Sequence, residues 1–419
     1  MRTGSTWTPH WAWIGAALSI LGCTTANPQY LAQNTEAGGE EAASLGSDES
    51  ETDVGSSDDE STSDEAEATD TDTDESDETD TGAPECQAPT NYIDCDVAGL
   101  QLSDKPELAF GLNCNGPLDS TIHSDGLVAF SAEDPTSYRV AKTFGVAPGP
   151  NHGGKLWAAN ESAVSGGDGF PDIPANTSAS ILILSTGYLP EADNMGAVLV
   201  EEPQFNHEDN DNPDWSGDNP YPPAPITPDK GSNFGAGGTP FKDCDGIGDC
   251  SESLYNLWVE VDEDELVVDQ FYDQLWMQFT VTPPPGVHGF LFDFAYFSSE
   301  YPESIGTQYV DMFVVWVASE GYTGNLTFVD DLPLSSNSLT DAGGFDFLPE
   351  NPALDWTGFE ENAGTGWRLA RGPATPGVPM ELTFFLADGT EPIAGSVVLL
   401  DNFRWICEGC EGDGCGFTP

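Results

Sequence analysis

The chain has 419 residues, with 73 Asp and Glu against 10 Lys and Arg, for a formal charge of −63 at neutral pH. So little positive charge removes the counterion-release term on which nucleic-acid binding rests, and anionic membrane surfaces would repel such a chain. The acidity suits solubility or the attraction of divalent cations. Much of it is local: Glu36 to Ala83 is almost only Glu, Asp, Ser, Thr, Gly and Ala, with no base. A segment of that composition buries too little apolar surface to offset chain entropy and is expected to be disordered. The remainder is rich in aromatics, Val, Gly and Pro, a composition suited to short strands joined by long turns around a sizeable core.

In chain order, Met1-Arg2 precede an apolar stretch, Trp11 to Leu21, that is too short to span a bilayer and ends at the small residue Gly22. This is the pattern of a cleaved signal peptide, residues 1–22. Ile20-Leu21-Gly22-Cys23 resembles the lipobox of bacterial lipoproteins, which implies lipidation of Cys23; the alternative is an ordinary signal with a chance Cys. Thr24 follows where an Asp would imply inner-membrane retention, so the resemblance favours the outer membrane or cell surface. Residues 23–83 then form a lipidated Cys and an acidic tether, with a reach of roughly 40 Å as a neutral coil and more when charged. Several acyl chains would make the anchoring stable.

Beyond the tether, strand-like runs recur and helical periodicity does not. Residues 180–185, 196–200, 275–281, 288–297, 310–318, 324–329, 380–386 and 396–405 are β-branched or aromatic and bounded by Gly, Pro, Asn or Asp. Alternation over 275–281 demands a second sheet, so the expected fold is mostly β, a jelly-roll-like β-sandwich with long loops. Residues 84–255 read as the N-terminal part of the β region, with a polar loop insertion at 203–250. Residues 256–407 read as the sandwich core and 408–419 as a Cys/Gly-rich tail.

Setting Cys23 aside leaves Cys86, Cys95, Cys114, Cys244, Cys250, Cys407, Cys410 and Cys415, an even set that reads as disulfides in an exported chain. Cys244 and Cys250 are close enough in sequence to pair. The alternative is zinc at Cys407, Cys410 and Cys415, a set without a nearby His or a second CxxC. Asp243, Asp245 and Asp249, with Glu252, are spaced like a calcium loop and resemble the acidic units of thrombospondin type 3 repeats. A plain Asp/Gly turn pinned by a disulfide is the competing reading. No nucleophile elbow, zinc-hydrolase helix or phosphate loop is visible. A glycosidase needs only two carboxylates at the right separation, and Trp215, Tyr221 and Trp276 would be its sugar-facing aromatics.

The sequence FDFAYFSSEYPE, residues 292–303, sets Glu300 and Glu303 against the end of the most apolar strand. A hairpin into the next strand at Val310 would bring Glu300 near Asp311, where like charges need a cation or a proton between them. FDFAYFSSEYPE, then VDMFVVWV, GNLTF, TGFEENAGTGW and PGVPMELTFFLADGTEPIAGSVVLLDNFRW resemble the successive blocks of the choice-of-anchor L domain, with ILSTG at 183–187 as an upstream block. The resemblance covers about Gln274 to Trp405 and implies an exported, surface-anchored module to which no catalytic activity is assigned. This chain departs from the family pattern at Val310, Glu391 and Gly395, and keeps Asp388.

A second calcium site is expected at Glu300, Asp311 and Asp401, with turn capping by these carboxylates as its alternative. The expected function is a surface-anchored lipoprotein acting as a non-catalytic binding, adhesion or structural envelope module, with Ca²⁺ as the candidate cofactor. Its partners would be the membrane, through the lipid, and an extracellular glycan or cell-surface component, not nucleic acid. The rival is a carbohydrate-active hydrolase, and a passive spacer is the third reading.

Overall fold

The structure, a computed structural model, describes residues 84–93, 95, 105–151, 153–158, 180–200, 210, 212–213, 222–231, 240–241, 244–258, 271–307, 310–330, 332–342, 347, 354, 359, 362–389, 394–410 and 414–417. Cys23, the tether, Asp243, Trp215, Tyr221 and Glu391 lie outside the described residues.

In chain order the elements are α1 (Pro106–Ala109), β1 (Ala129–Ser131), β2 (Tyr138–Ala141), β3 (Thr143–Gly145), β4 (Leu156–Ala158), β5 (Ile181–Ser185), β6 (Ala197–Leu199), α2 (Ser253–Trp258) and β7 (Phe271–Val281). They continue with β8 (Gly289–Ser298), β9 (Met312–Ala318), β10 (Thr323–Asn325), β11 (Phe328–Val329), β12 (Leu332–Ser335), α3 (Ser336–Ala342), β13 (Ala363–Gly364), β14 (Arg368–Pro373), β15 (Met380–Gly389), β16 (Ser396–Ile406) and β17 (Gly416–Phe417).

Two seven-stranded sheets face one another as a β-sandwich. The first runs β1-β7-β15-β9-β12-β11 with β10 on β9, and the second runs β17-β14-β8-β16-β5-β2 with β13 on β8. Strand neighbours in both are antiparallel. Strands β1, β2 and β5, from the N-terminal part, complete these sheets, and Glu78–Pro419 forms one compact unit.

The core follows from strand alternation. Phe290, Phe292, Phe294 and Tyr296 of β8 pack between the sheets with Phe279 of β7, Phe313 of β9 and Phe384 of β15. Phe110, just after α1, enters the same core and meets Phe384 edge-on at 4.9 Å between ring centroids. Over 275–281 the odd positions are buried and the even ones half-buried, as the alternation required.

The outer faces are covered too. Ala295 and Phe297 of β8 pack with Phe144, Trp157 and Val198 from a small sheet of order β4-β3-β6. On the other flank Met312, Val314 and Trp316 of β9 and Phe385 of β15 pack against Leu254 and Leu257 of α2. β8 and β9 are therefore buried on both faces, which is why their sequences read as continuous apolar runs rather than alternating ones.

One expectation is corrected. β8 and β9 do not form a hairpin, because they belong to opposite sheets.

Four disulfides join Cys86 to Cys407, Cys95 to Cys114, Cys244 to Cys250 and Cys410 to Cys415. These pairings leave no zinc set at Cys407, Cys410 and Cys415.

Candidate functional site: a buried carboxylate cluster

The exit from β8 is fixed by backbone and hydroxyl contacts. Ser299 N–H donates to the Gly395 carbonyl at 3.1 Å, and its hydroxyl reaches the same oxygen at 3.0 Å. Glu300 N–H donates to Ser298 Oγ at 3.2 Å. This geometry turns Glu300 inward, 1% exposed, while Glu303 three residues on is exposed. Glu300 Oε2 then accepts the backbone N–H of Asp311 at 3.0 Å, at the entry to β9. The two acids that the sequence suggested as neighbours meet across the gap between the sheets.

The third member is Asp388 at the end of β15, where Ala387 pairs with Met312 of β9. Glu300, Asp311 and Asp388 each offer a carboxylate oxygen, and the three atoms lie within 4.8 Å of one another. All three residues are buried. The wall is polar: Thr186 Oγ donates to Asp311 Oδ2 at 3.3 Å, and Tyr296 OH donates to the Asp311 carbonyl at 3.1 Å. Ser396 joins this wall, its Oγ 3.0 Å from Tyr296 OH and its N–H donating to Thr186 Oγ at 2.8 Å.

A fourth acid stands close by. The β7/β15 register shifts between Leu386 and Asp388, so β7 carries an extra residue. Within that bulge Asp273 takes φ 52°, a left-handed conformation uncommon for a residue with a side chain, and is fully buried. Burial raises the Asp388 carboxyl well above the ordinary carboxylate range, and the fields of Asp311, Glu300 and Asp273 push the same way. Tyr296 is likewise raised well above its usual value, first by burial and then by Asp311 and Glu300.

Asp401 is not part of this cluster, contrary to the expectation from sequence. It pairs in register with Asp293, five residues along β16 from Ser396, or about 17 Å at strand rise. Strand direction decides this: Ser396 begins β16 beside the cluster, and Asp401 lies further along. There a second bulge, between Asp401 and Arg404, carries Asn402 at φ 60°. Asn402 Nδ2 donates to Asp293 Oδ2 at 2.6 Å, Asp401 Oδ1 accepts the Asn402 N–H at 2.7 Å, and Arg404 Nη2 lies 3.6 Å from Asp293 Oδ2. Asp401 thus belongs to a structural polar network with its own buried cation.

The expected calcium loop is also not assembled among the described residues. Asp249 is buried, and its carboxylate accepts N–H groups from Ser251 at 3.0 Å, Asn325 at 3.3 Å and Leu254 at 3.1 Å, together with the Ser251 hydroxyl at 2.7 Å. It caps the start of α2, with Oδ1 accepting three of these hydrogen bonds and Oδ2 the fourth. Asp245 is exposed and accepts the Ile247 N–H at 3.2 Å, an Asx-type turn. Glu252 pairs with Lys230 at 3.3 Å.

Sequence reasoning missed Asp388 as a ligand and Asp273 altogether. The available signal was the one that exposed Glu300: FFLAD, an acid ending an apolar run. Compared with family models, curated proteins and solved structures, the chain finds no match.

Proposed function

We propose that the protein is an exported, lipid-anchored surface protein whose β-sandwich, of the choice-of-anchor L kind, acts as a non-catalytic binding or structural module. The observation that carries this reading is the pairing of all eight described cysteines as disulfides, a chemistry favoured outside the reducing cytosol. It agrees with the lipobox-like ILGC before an acidic tether. The blocks that resemble the choice-of-anchor L domain supply the core strands β8, β9, β15 and β16.

A module is favoured over a hydrolase by the depth of the clustered carboxylates. Glycoside hydrolysis needs an acid and a base that contact the scissile bond and admit water. Glu300, Asp311 and Asp388 are at most 1% exposed and lie between sheets, so no sugar reaches them in this conformation. Trp276 is half-buried against the α2 side of the sandwich, in a packing role. An extracellular glycan or a cell-surface component is the proposed ligand class.

Metabolic labelling with a palmitate analogue in a bacterial host with two membranes tests the anchor. The expected result is a labelled, membrane-fractionating wild type and an unlabelled Cys23→Ala that is released in soluble form. An unlabelled wild type would overturn the lipoprotein reading. For the module, binding on a glycan array without product release is expected, and release that vanishes on replacing one carboxylate would favour the hydrolase.

A further inference from the structure

We propose that Glu300, Asp311 and Asp388 ligate a calcium ion that ties the two sheets together at one end of the sandwich. The donors come from both sides of the core: Glu300 from the exit of β8 in the second sheet, Asp311 and Asp388 from β9 and β15 in the first. Each is a carboxylate oxygen, the donor that hard cations select, and no nitrogen or sulfur is among them. Calcium–oxygen bonds of about 2.3 to 2.6 Å put opposite ligands about 5 Å apart, so oxygens within 4.8 Å of one another fit a single calcium sphere. Magnesium prefers shorter bonds and keeps several waters, which suits a site enclosed by packed strands less well.

A second observation points to a ligand. Asp388 is 1% exposed, yet its Oδ1 has no hydrogen-bond partner among the described residues. A buried acceptor in that state is unfavourable unless something positive meets it. Crowding adds to the demand, since like charges in a low-dielectric interior repel until a cation or a proton intervenes. The hydroxyls of Thr186, Tyr296 and Ser396 form the outer wall that would hold the acids in place, as supporting shells do around metals. The site stands whether or not the chain is lipidated.

The test uses the full-length chain, stripped with chelator and then resupplied. With calcium the wild type should retain bound metal by elemental analysis and melt at a higher temperature than in chelator. Terbium in place of calcium should luminesce on excitation of tyrosine, because Tyr296 lies against Asp311. Asp388→Asn should lose the calcium-induced shift and the terbium signal, with affinity reduced by at least about tenfold, since calcium affinity follows ligand charge. In chelator the same variant should melt at or above the wild type. Glu300→Gln repeats the comparison if Asp388→Asn does not fold.

Asp245→Asn, in the exposed loop, should keep the full response. The proposal is overturned by a wild type that holds no metal and melts identically in calcium and chelator. An unaltered calcium response in Asp388→Asn, or its loss in Asp245→Asn, would overturn it equally.

Discussion

Arg404 is fully buried, one of only ten basic residues in a chain with 73 acidic ones. Burial lowers its pKa, and the fields of Asp293, Tyr92 and Asp401 oppose that. Removing one partner of a buried pair strands the other, so Arg404→Met should destabilise the protein by about 3 to 5 kcal/mol in urea titration. Adding Asp293→Leu should recover part of that loss; no recovery would mean the pair is not the source.

Asp249 offers a pH test at the same scale. Burial raises it from 3.8 to about 6 despite the N–H groups it accepts. Between those values the native state keeps a proton that the unfolded chain has released, so this group's contribution to stability falls as pH rises and is flat above about 6. Asp249→Asn does not titrate, and its stability relative to wild type should therefore rise by about 2 kcal/mol from pH 4 to pH 7. A relative stability that stays constant across that window would contradict the assignment. The position was legible as an acid in a tight loop, but its role was not. Capping and ligation call on the same residue type, and only the inward turn that meets Leu254 and Asn325 separates them.

Elements were legible where apolar runs are long. The runs at 288–297, 310–318 and 396–405 became β8, β9 and β16 within two residues at either end. Short strands such as β13 and β17 carry no periodicity to detect, and the start of β7 was hidden because Asp273 interrupts its pattern. Both bulges escaped notice for the same reason: an extra residue breaks the two-residue period that reveals a strand. That break is also what re-aims Asp273 toward Asp388 and Asn402 toward Asp293, so the least legible positions are those that build the polar sites.

The double burial of β8 can be tested directly. Phe292 packs between the sheets and Phe297 under the small sheet. Phe292→Ala and Phe297→Ala should each lose about 3 to 5 kcal/mol by chemical denaturation. In a two-layer sandwich Phe297 would face solvent, and its truncation would be nearly silent.

At the scale of the whole molecule, the even cysteine count was legible, but only the Cys244–Cys250 pair was foreseeable, because connectivity depends on which strand ends meet. Cys86 precedes every strand described and Cys407 follows β16, with 321 residues of separation, whereas Cys410 and Cys415 are 5 apart. A cross-link removes more freedom from the unfolded chain the longer the loop it closes, so the two bridges should differ in worth. In the chain-entropy view the long closure contributes about 6 kcal/mol and the short one about 2. Urea titration at fixed calcium should therefore show Cys86→Ser with Cys407→Ser losing clearly more stability than Cys410→Ser with Cys415→Ser. Equal losses would mean that the long bridge acts on native packing at the end of β16 rather than on the unfolded chain. Greater loss from the short bridge would remove any role for Cys86–Cys407 as the closure of the folded unit.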